Sequence, residues 1–286
     1  MFAVVGTVPE EDFPLSYGPA ILAGRRLQVA GRSVAINRGT PALLATACRV
    51  CEFLAVPPPQ AFLIGDIGTG AGSRKLYAHL EKILPGENYT GLTFHYIQPD
   101  VDWHNRVLFA VEAMAVRPVL IADAGFMYAA KMSGQAEIYD LFTPDIGELA
   151  FLADEVAPHP FYTRGFIFHE SRRVPELIAR AYQYANAARY LLVKGKEDLL
   201  ADAGGVIGTV AEPMIPALEA IGGTGDIVTG LAAALTGTGR QIPETCLQAS
   251  EIGRTAGAMA RSDPGTQVAE IINILPAALK KVLKNK

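Results

Sequence analysis

The sequence predicts an α/β fold, a mostly parallel sheet covered by helices on both faces. Three observations carry this. Half of the 286 residues are hydrophobic and only 19% are charged, enough apolar material for one large core. Short apolar runs of strand length alternate with helical repeats along the chain. Several of these runs end directly in glycine or a charged residue, as buried parallel strands do.

The elements follow in order. Residues 1–40 read as a small β-rich N-terminal element, with Leu27–Ala30 and Ser33–Ile36 as strands around the turn Gly31-Arg32. Pro41–Val56 is an apolar-periodic helix, Ala61–Ile64 a buried strand and Ser73–Leu84 an amphipathic helix. Leu92–Ile97 is strand-like, His104–Ala115 helical and Val119–Ala122 a buried strand. Asp140–Thr143 is strand-like and ends at Pro144; Val174–Arg189 is helical and Tyr190–Val193 a strand. Asp198–Val210 holds two strands around Ala203-Gly204-Gly205, and the rest from Asp226 is mostly helix. No repeat, low-complexity tract or linker interrupts the pattern, so a single domain over residues 1–286 is expected.

Composition excludes several classes of function. A net charge of −4 argues against nucleic-acid and membrane-surface partners. No segment has the roughly 18 uninterrupted apolar residues of a membrane span, despite a mean hydropathy of +0.23. The N-terminus has no basic segment or long apolar stretch, so no signal peptide is read. Three cysteines fit a reducing compartment better than a disulfide scaffold, and a cytoplasmic location is expected. Cys48 and Cys51 read as core, the five histidines show no ligand spacing, and His169, Arg172 and Arg173 read as solvated surface.

The sharpest motif is Gly222-Gly223-Thr224-Gly225-Asp226, which runs into the apolar helix Ile227–Leu235. Glycines let the backbone approach a ligand. The first amides of a helix lack internal partners and carry partial positive charge, which makes an anion hole. Asp226 is placed to take a proton from a hydroxyl, or else to cap the helix. A second segment, Lys194-Gly195-Lys196-Glu197-Asp198, follows a buried strand, where such sheets bind ligands. A third, Gly65–Gly72, departs from dinucleotide-binding spacing, which disfavours a Rossmann dehydrogenase; Gly68 and Gly70 are candidates for a substrate-lining loop or a plain turn. Asp123, Asp145 and Glu148 follow strands, and each either lines the same cleft or caps the next helix.

From about Pro118 to Lys286 the chain resembles the NAD(P)H-hydrate dehydratases of the ribokinase-like superfamily. The features in order are Val119–Gly125, the Thr143–Glu148 segment, the Lys194-Gly195 loop with the Ala201–Gly205 hairpin, and Gly222–Leu235. The resemblance implies a ribokinase-like three-layer sandwich that binds ATP or ADP, with Mg²⁺ carried by the nucleotide. It assigns nucleotide contacts to Lys194, Gly195, Lys196, Glu197, Asp198, Gly222, Gly223, Thr224 and Gly225, with Asp226 as the catalytic and substrate-contacting residue. Gly68, Gly70, Asp123, Asp145 and Glu148 are the remaining candidates on the substrate side, and no dedicated protein metal site is expected. Family members are often homo-oligomers. The substrate side departs from the family: its opening Gly-Gly-Ser and Met-Pro-Gly-Ala segments are missing from residues 1–60, and Asp145 stands where the family has histidine. The implied activity is ATP- or ADP-dependent dehydration of hydrated NADH or NADPH. The alternatives are a kinase for another small hydroxylated metabolite and a nucleotide-binding protein without turnover.

Overall fold

The structure, a computed structural model, describes residues 1–155 and 174–284. His169, Arg172 and Arg173 lie outside the described residues. The chain runs Phe2–Val8 (β1), Ser16–Pro19 (β2), Ile21–Ala23 (β3), Arg26–Val29 (β4), Arg32–Ala35 (β5) and Thr40–Leu54 (α1). Next come Gln60–Gly65 (β6), Ala71–Ile83 (α2), Gly91–His95 (β7), Val101–Glu112 (α3), Val119–Ala122 (β8), Gly125–Met132 (α4), Leu141–Phe142 (β9) and Ile146–Leu152 (α5). Val174–Gln183 (α6), Tyr190–Val193 (β10), Asp198–Asp202 (β11) and Gly205–Val210 (β12) precede Thr224–Gly237 (α7), Ile242–Met259 (α8) and Val268–Leu283 (α9).

The central sheet has nine strands in the order β12-β11-β10-β9-β8-β7-β1-β6-β2. From β10 to β6 every neighbouring pair is parallel, while β11, β12 and β2 join antiparallel at the two ends. Alternation along β1 shows why it is central. Phe2, Val4 and Val8 point into one core, which α1, α7, α8 and α9 complete. Ala3 and Val5 point into the opposite core, filled from α2 to α6. A strand apolar on both faces is stable only between two helical layers, and the three-layer expectation holds.

The N-terminal expectation is corrected in one respect. Residues 1–40 are β-rich, yet β1 belongs to the middle of the large sheet. Only β3, β4 and β5 form a separate small sheet. In β4, Leu27 and Val29 are buried while Arg26 and Gln28 are exposed, a one-sided pattern that cannot occupy a sheet centre. The helices α4 and α5 have 8 and 7 residues, too few turns to show a period in the sequence.

One topological feature prepares the site. From β1 the chain adds β6 on one side and later β7 on the other. At such a reversal the connecting segments diverge and leave a crevice at the carboxyl ends of the strands. Thr7 of β1 donates its hydroxyl to the Tyr96 carbonyl just past β7 at 2.5 Å, so the two strand ends are tied there.

Candidate active site

Side chains converge on that crevice from four strand ends and two helix starts. Asp226 sits in the first turn of α7 and is only 9% exposed. It does not cap its own helix, because that helix has no side-chain cap. Instead Oδ2 accepts the Gly39 amide, from the start of α1, at 2.5 Å. Oδ1 lies 3.1 Å from Nε2 of His95, the last residue of β7. Burial pushes the Asp226 carboxyl up, but the His95 contact, the Lys194 charge and the Gly39 amide outweigh it and hold the group below the ordinary aspartate value.

Lys194 directly follows β10, and its amide donates to Pro144 O at 2.8 Å, which sets the strand end beside the start of α5. Its Nζ donates to Asp123 Oδ2 at 2.8 Å, and Thr229 Oγ1 of α7 donates to the same oxygen at 2.7 Å. Burial alone would favour neutral Lys194, yet Asp123 and Glu148 hold its pKa above the usual lysine value. Glu148 is pushed up to about 8, first by burial and then by Asp123.

These residues open onto a cavity of about 950 Å³. Gly223, Thr224 and Gly225 line it beside Lys194 and Asp226. Gly223 sits at φ +100, a turn that leaves the first amides of α7 free for a ligand. A side chain on Gly225 would stand 3.6 Å from Lys194 Nζ, so glycine keeps the space beside that ammonium clear. Met214, Ile215, Leu218, Val228 and Ile271 supply an apolar wall. Helix-start amides beside an apolar wall can receive an anionic group and an apolar group together. No group of three ligating side chains gathers around a metal among the described residues.

No protein-family model matches the chain. The uncharacterized protein MJ1337 of Methanocaldococcus jannaschii is 37% identical over 243 residues, which span 85% of this chain and all of the relative. The chain belongs to that protein's family. Among solved structures, the ADP/ATP-dependent NAD(P)H-hydrate dehydratase of Bacillus subtilis, co-crystallized with ATP/Mg²⁺, matches with a TM-score of 0.58 at 16% identity, over 98% of this chain and 89% of that one. Pyridoxal kinase of Staphylococcus aureus, in complex with AMP-PCP and pyridoxal, matches at 0.56 and 14% identity, over 90% and 88%. A ribokinase-like superfamily protein of Enterococcus faecalis matches at 0.56 and 14% identity, over 98% and 87%. The fold of this chain is ribokinase-like.

In this member of the family the structure brings most of the expected residues to one place. Asp123, Asp145, Glu148, Lys194, Gly195, Lys196, Asp198, Gly223, Thr224, Gly225 and Asp226 all border the cavity. Glu197 and Gly222 are exposed and stand outside its lining. Asp198 is committed elsewhere: its carboxylate accepts the Gly195 amide at 3.0 Å and Arg254 Nε at 3.1 Å. It therefore shapes the lysine-glycine loop. Asp145 caps α5 in a reciprocal box, each residue's backbone amide bonded to the other's carboxylate at 2.8 Å with Glu148.

The glycines of the third segment lie apart from these residues. Gly68 and Gly70 do not border the cavity, and their amides both donate to Asp66 Oδ1 at 3.0 Å. Asp66 also takes the amide and hydroxyl of Ser73, so this loop is a turn closed by its own carboxylate. Sequence reasoning missed His95, Gly39 and Thr229. The signal for His95 was its place at the end of the apolar run Leu92-Thr93-Phe94, where Lys194 and Asp123 also sit on their strands.

Proposed function

We propose that this chain is a nucleotide-dependent enzyme that directs a phosphoryl group onto the hydroxyl of a small molecule. One observation carries the reading: a buried Asp226 in the first turn of α7, 3.1 Å from His95 Nε2 and lining a cavity of about 950 Å³ together with Lys194. When bound, ATP or ADP with Mg²⁺ supplies the phosphoryl group and its leaving group. Asp226 accepts the hydroxyl proton as the oxygen attacks. The α7 amides and Lys194 oppose the negative charge on the group in transit. Glu148 also borders the cavity, with one carboxylate oxygen already accepting the Asp145 amide at 2.8 Å.

Two products follow from that step. In the dehydratase reading the phosphorylated hydroxyl of hydrated NADH or NADPH leaves as phosphate and the nicotinamide is restored. The ordered resemblance from Pro118 to Lys286 supports it. In the kinase reading the phosphate ester is itself the product. Asp145 favours that second reading, since its carboxylate is taken up in the α5 cap and offers no donor to a hydrated nicotinamide.

The test gives purified protein ATP or ADP with Mg²⁺, then either NAD(P)H hydrate or a panel of small alcohols. Recovery of nicotinamide absorbance marks the dehydratase, and alcohol-stimulated nucleotide consumption without it marks the kinase. Asp226→Asn should lower turnover about 10²- to 10⁴-fold while nucleotide still binds. Undiminished turnover in that variant overturns the reading.

A further inference from the structure

His95 takes no part in the chemistry just described, yet its side chain reaches to 3.1 Å from Asp226. The ring is fully buried. Thr40 Oγ1 of α1 lies 3.0 Å from Nδ1, and the Tyr96 ring meets it edge-on with centroids 4.4 Å apart. From β1, Gly6 packs so close that a side chain there would lie 2.4 Å from the His95 carbonyl. On the other side Nε2 stands between two carboxylates, 3.1 Å from Asp226 Oδ1 and 3.8 Å from Asp123 Oδ2. Asp123 is beyond hydrogen-bond distance and the Asp226 contact does not form a regular hydrogen bond, so Nε2 is a buried nitrogen without an aligned partner.

The charges around it are unequal in their needs. Asp123 already holds Lys194 Nζ at 2.8 Å and the Thr229 hydroxyl at 2.7 Å. Asp226 has one backbone amide, from Gly39. A buried carboxylate with a single neutral donor is costly to keep ionised. A proton on Nε2 answers that need, and two carboxylates facing Nε2 favour the proton there over Nδ1. Thr40 enforces the same tautomer. Its hydroxyl reaches Nδ1 at 3.0 Å but the His95 carbonyl only at 3.5 Å, so donation to Nδ1 is the better bond.

We propose that His95 is a positioning residue for the reaction, its Nε2–H holding the Asp226 carboxylate ionised and aimed while Thr40 fixes the tautomer. This rests on the reading of Asp226 as the base. Contacts of this kind tighten once substrate is bound. The arrangement makes Asp226 a base that stays available well below neutral pH. It also couples the starts of α1 and α7 through one imidazole.

The experiment measures hydrolysis of ATP with Mg²⁺, water serving as the acceptor, across pH for the wild-type protein, His95→Phe, His95→Gln and Asp226→Asn. His95→Phe keeps a ring and loses both nitrogens; His95→Gln keeps an N–H donor. His95→Phe should lose at least tenfold in kcat with the KM for ATP unchanged. Its acid limb should move to higher pH, because Asp226 loses the contact that lowers its pKa. His95→Gln should restore most of the rate and return the limb. A wild-type kcat with an unmoved limb in His95→Phe overturns the proposal, as does equal loss in both variants. Turnover retained in Asp226→Asn sinks the functional reading itself; loss there with an unaffected His95→Phe sinks only this inference. Ring-nitrogen NMR of the wild-type protein decides independently of activity and of any variant that fails to fold. It should show His95 as the Nε2–H form, with a shift on Asp226→Asn, and an Nδ1–H form overturns the assignment.

Discussion

Lys194 and Asp123 are more than a pair of opposite charges. The lysine side chain is 12% exposed and the aspartate 2%, with 2.8 Å between them. Removing one partner strands the other in a poorly solvated place, which costs about 3–5 kcal/mol when a buried pair is broken. Lys194→Met should therefore unfold at lower urea than the wild-type protein, and Lys194→Met with Asp123→Asn should recover part of that loss. Equal stability of single and double variants would show that the pair carries no such coupling. Lys194 and Asp123 were legible in the sequence because each terminates an apolar run. His95 does the same at the end of β7, but a lone histidine has no spacing partner, and its neighbours Thr40, Asp123 and Asp226 lie 28 to 131 positions away.

At the scale of elements, helix starts do most of the work. α7 begins at an uncapped glycine, and Asp226 inside its first turn reaches across to the α1 start. α5 begins the opposite way, sealed by Asp145 and Glu148. The difference is functional in the proposed reading: an open helix start holds an anion, and a sealed one does not. Asp145→Ala should lower stability by about 0.5–2 kcal/mol through loss of the cap and leave nucleotide affinity unchanged, read by thermal unfolding and equilibrium titration. A large loss of nucleotide affinity would instead place Asp145 in the ligand site. Gly68 and Gly70 make the same point. Their loop has the composition of a phosphate cradle, yet Asp66 within the same segment already occupies their amides.

At the scale of the whole molecule, the crevice exists because the chain reverses its direction of strand addition at β1. The cavity is lined from the ends of β7 and β8, α5, the loop after β10, α7, α8 and α9, so a ligand bound there should stabilise the folded state as a unit. Saturation at 100 times the dissociation constant contributes about 2.7 kcal/mol, which corresponds to a rise of several degrees in Tm for a chain of this size. ATP with Mg²⁺ should raise the Tm of the wild-type protein and of Asp226→Asn alike. Gly225→Val should abolish the rise, because a branched side chain there fills the space beside Lys194. A rise retained in Gly225→Val would put the nucleotide elsewhere.

The sequence by itself determined the alternation of strands and helices, the parallel sheet and the glycine loop with its aspartate. These are local signals: apolar runs, turn residues and helix periodicity depend on neighbours a few positions away. Only the tertiary structure decided that β1 is a central strand rather than part of a separate N-terminal element, since Phe2–Val8 can be buried on both faces only once α1 and α2 cover it. It alone decided that the amides of Gly68 and Gly70 are already bound and that Asp226 faces His95 and Gly39. Those facts are distances between segments far apart in the chain, and they are set by the order in which the strands join the sheet.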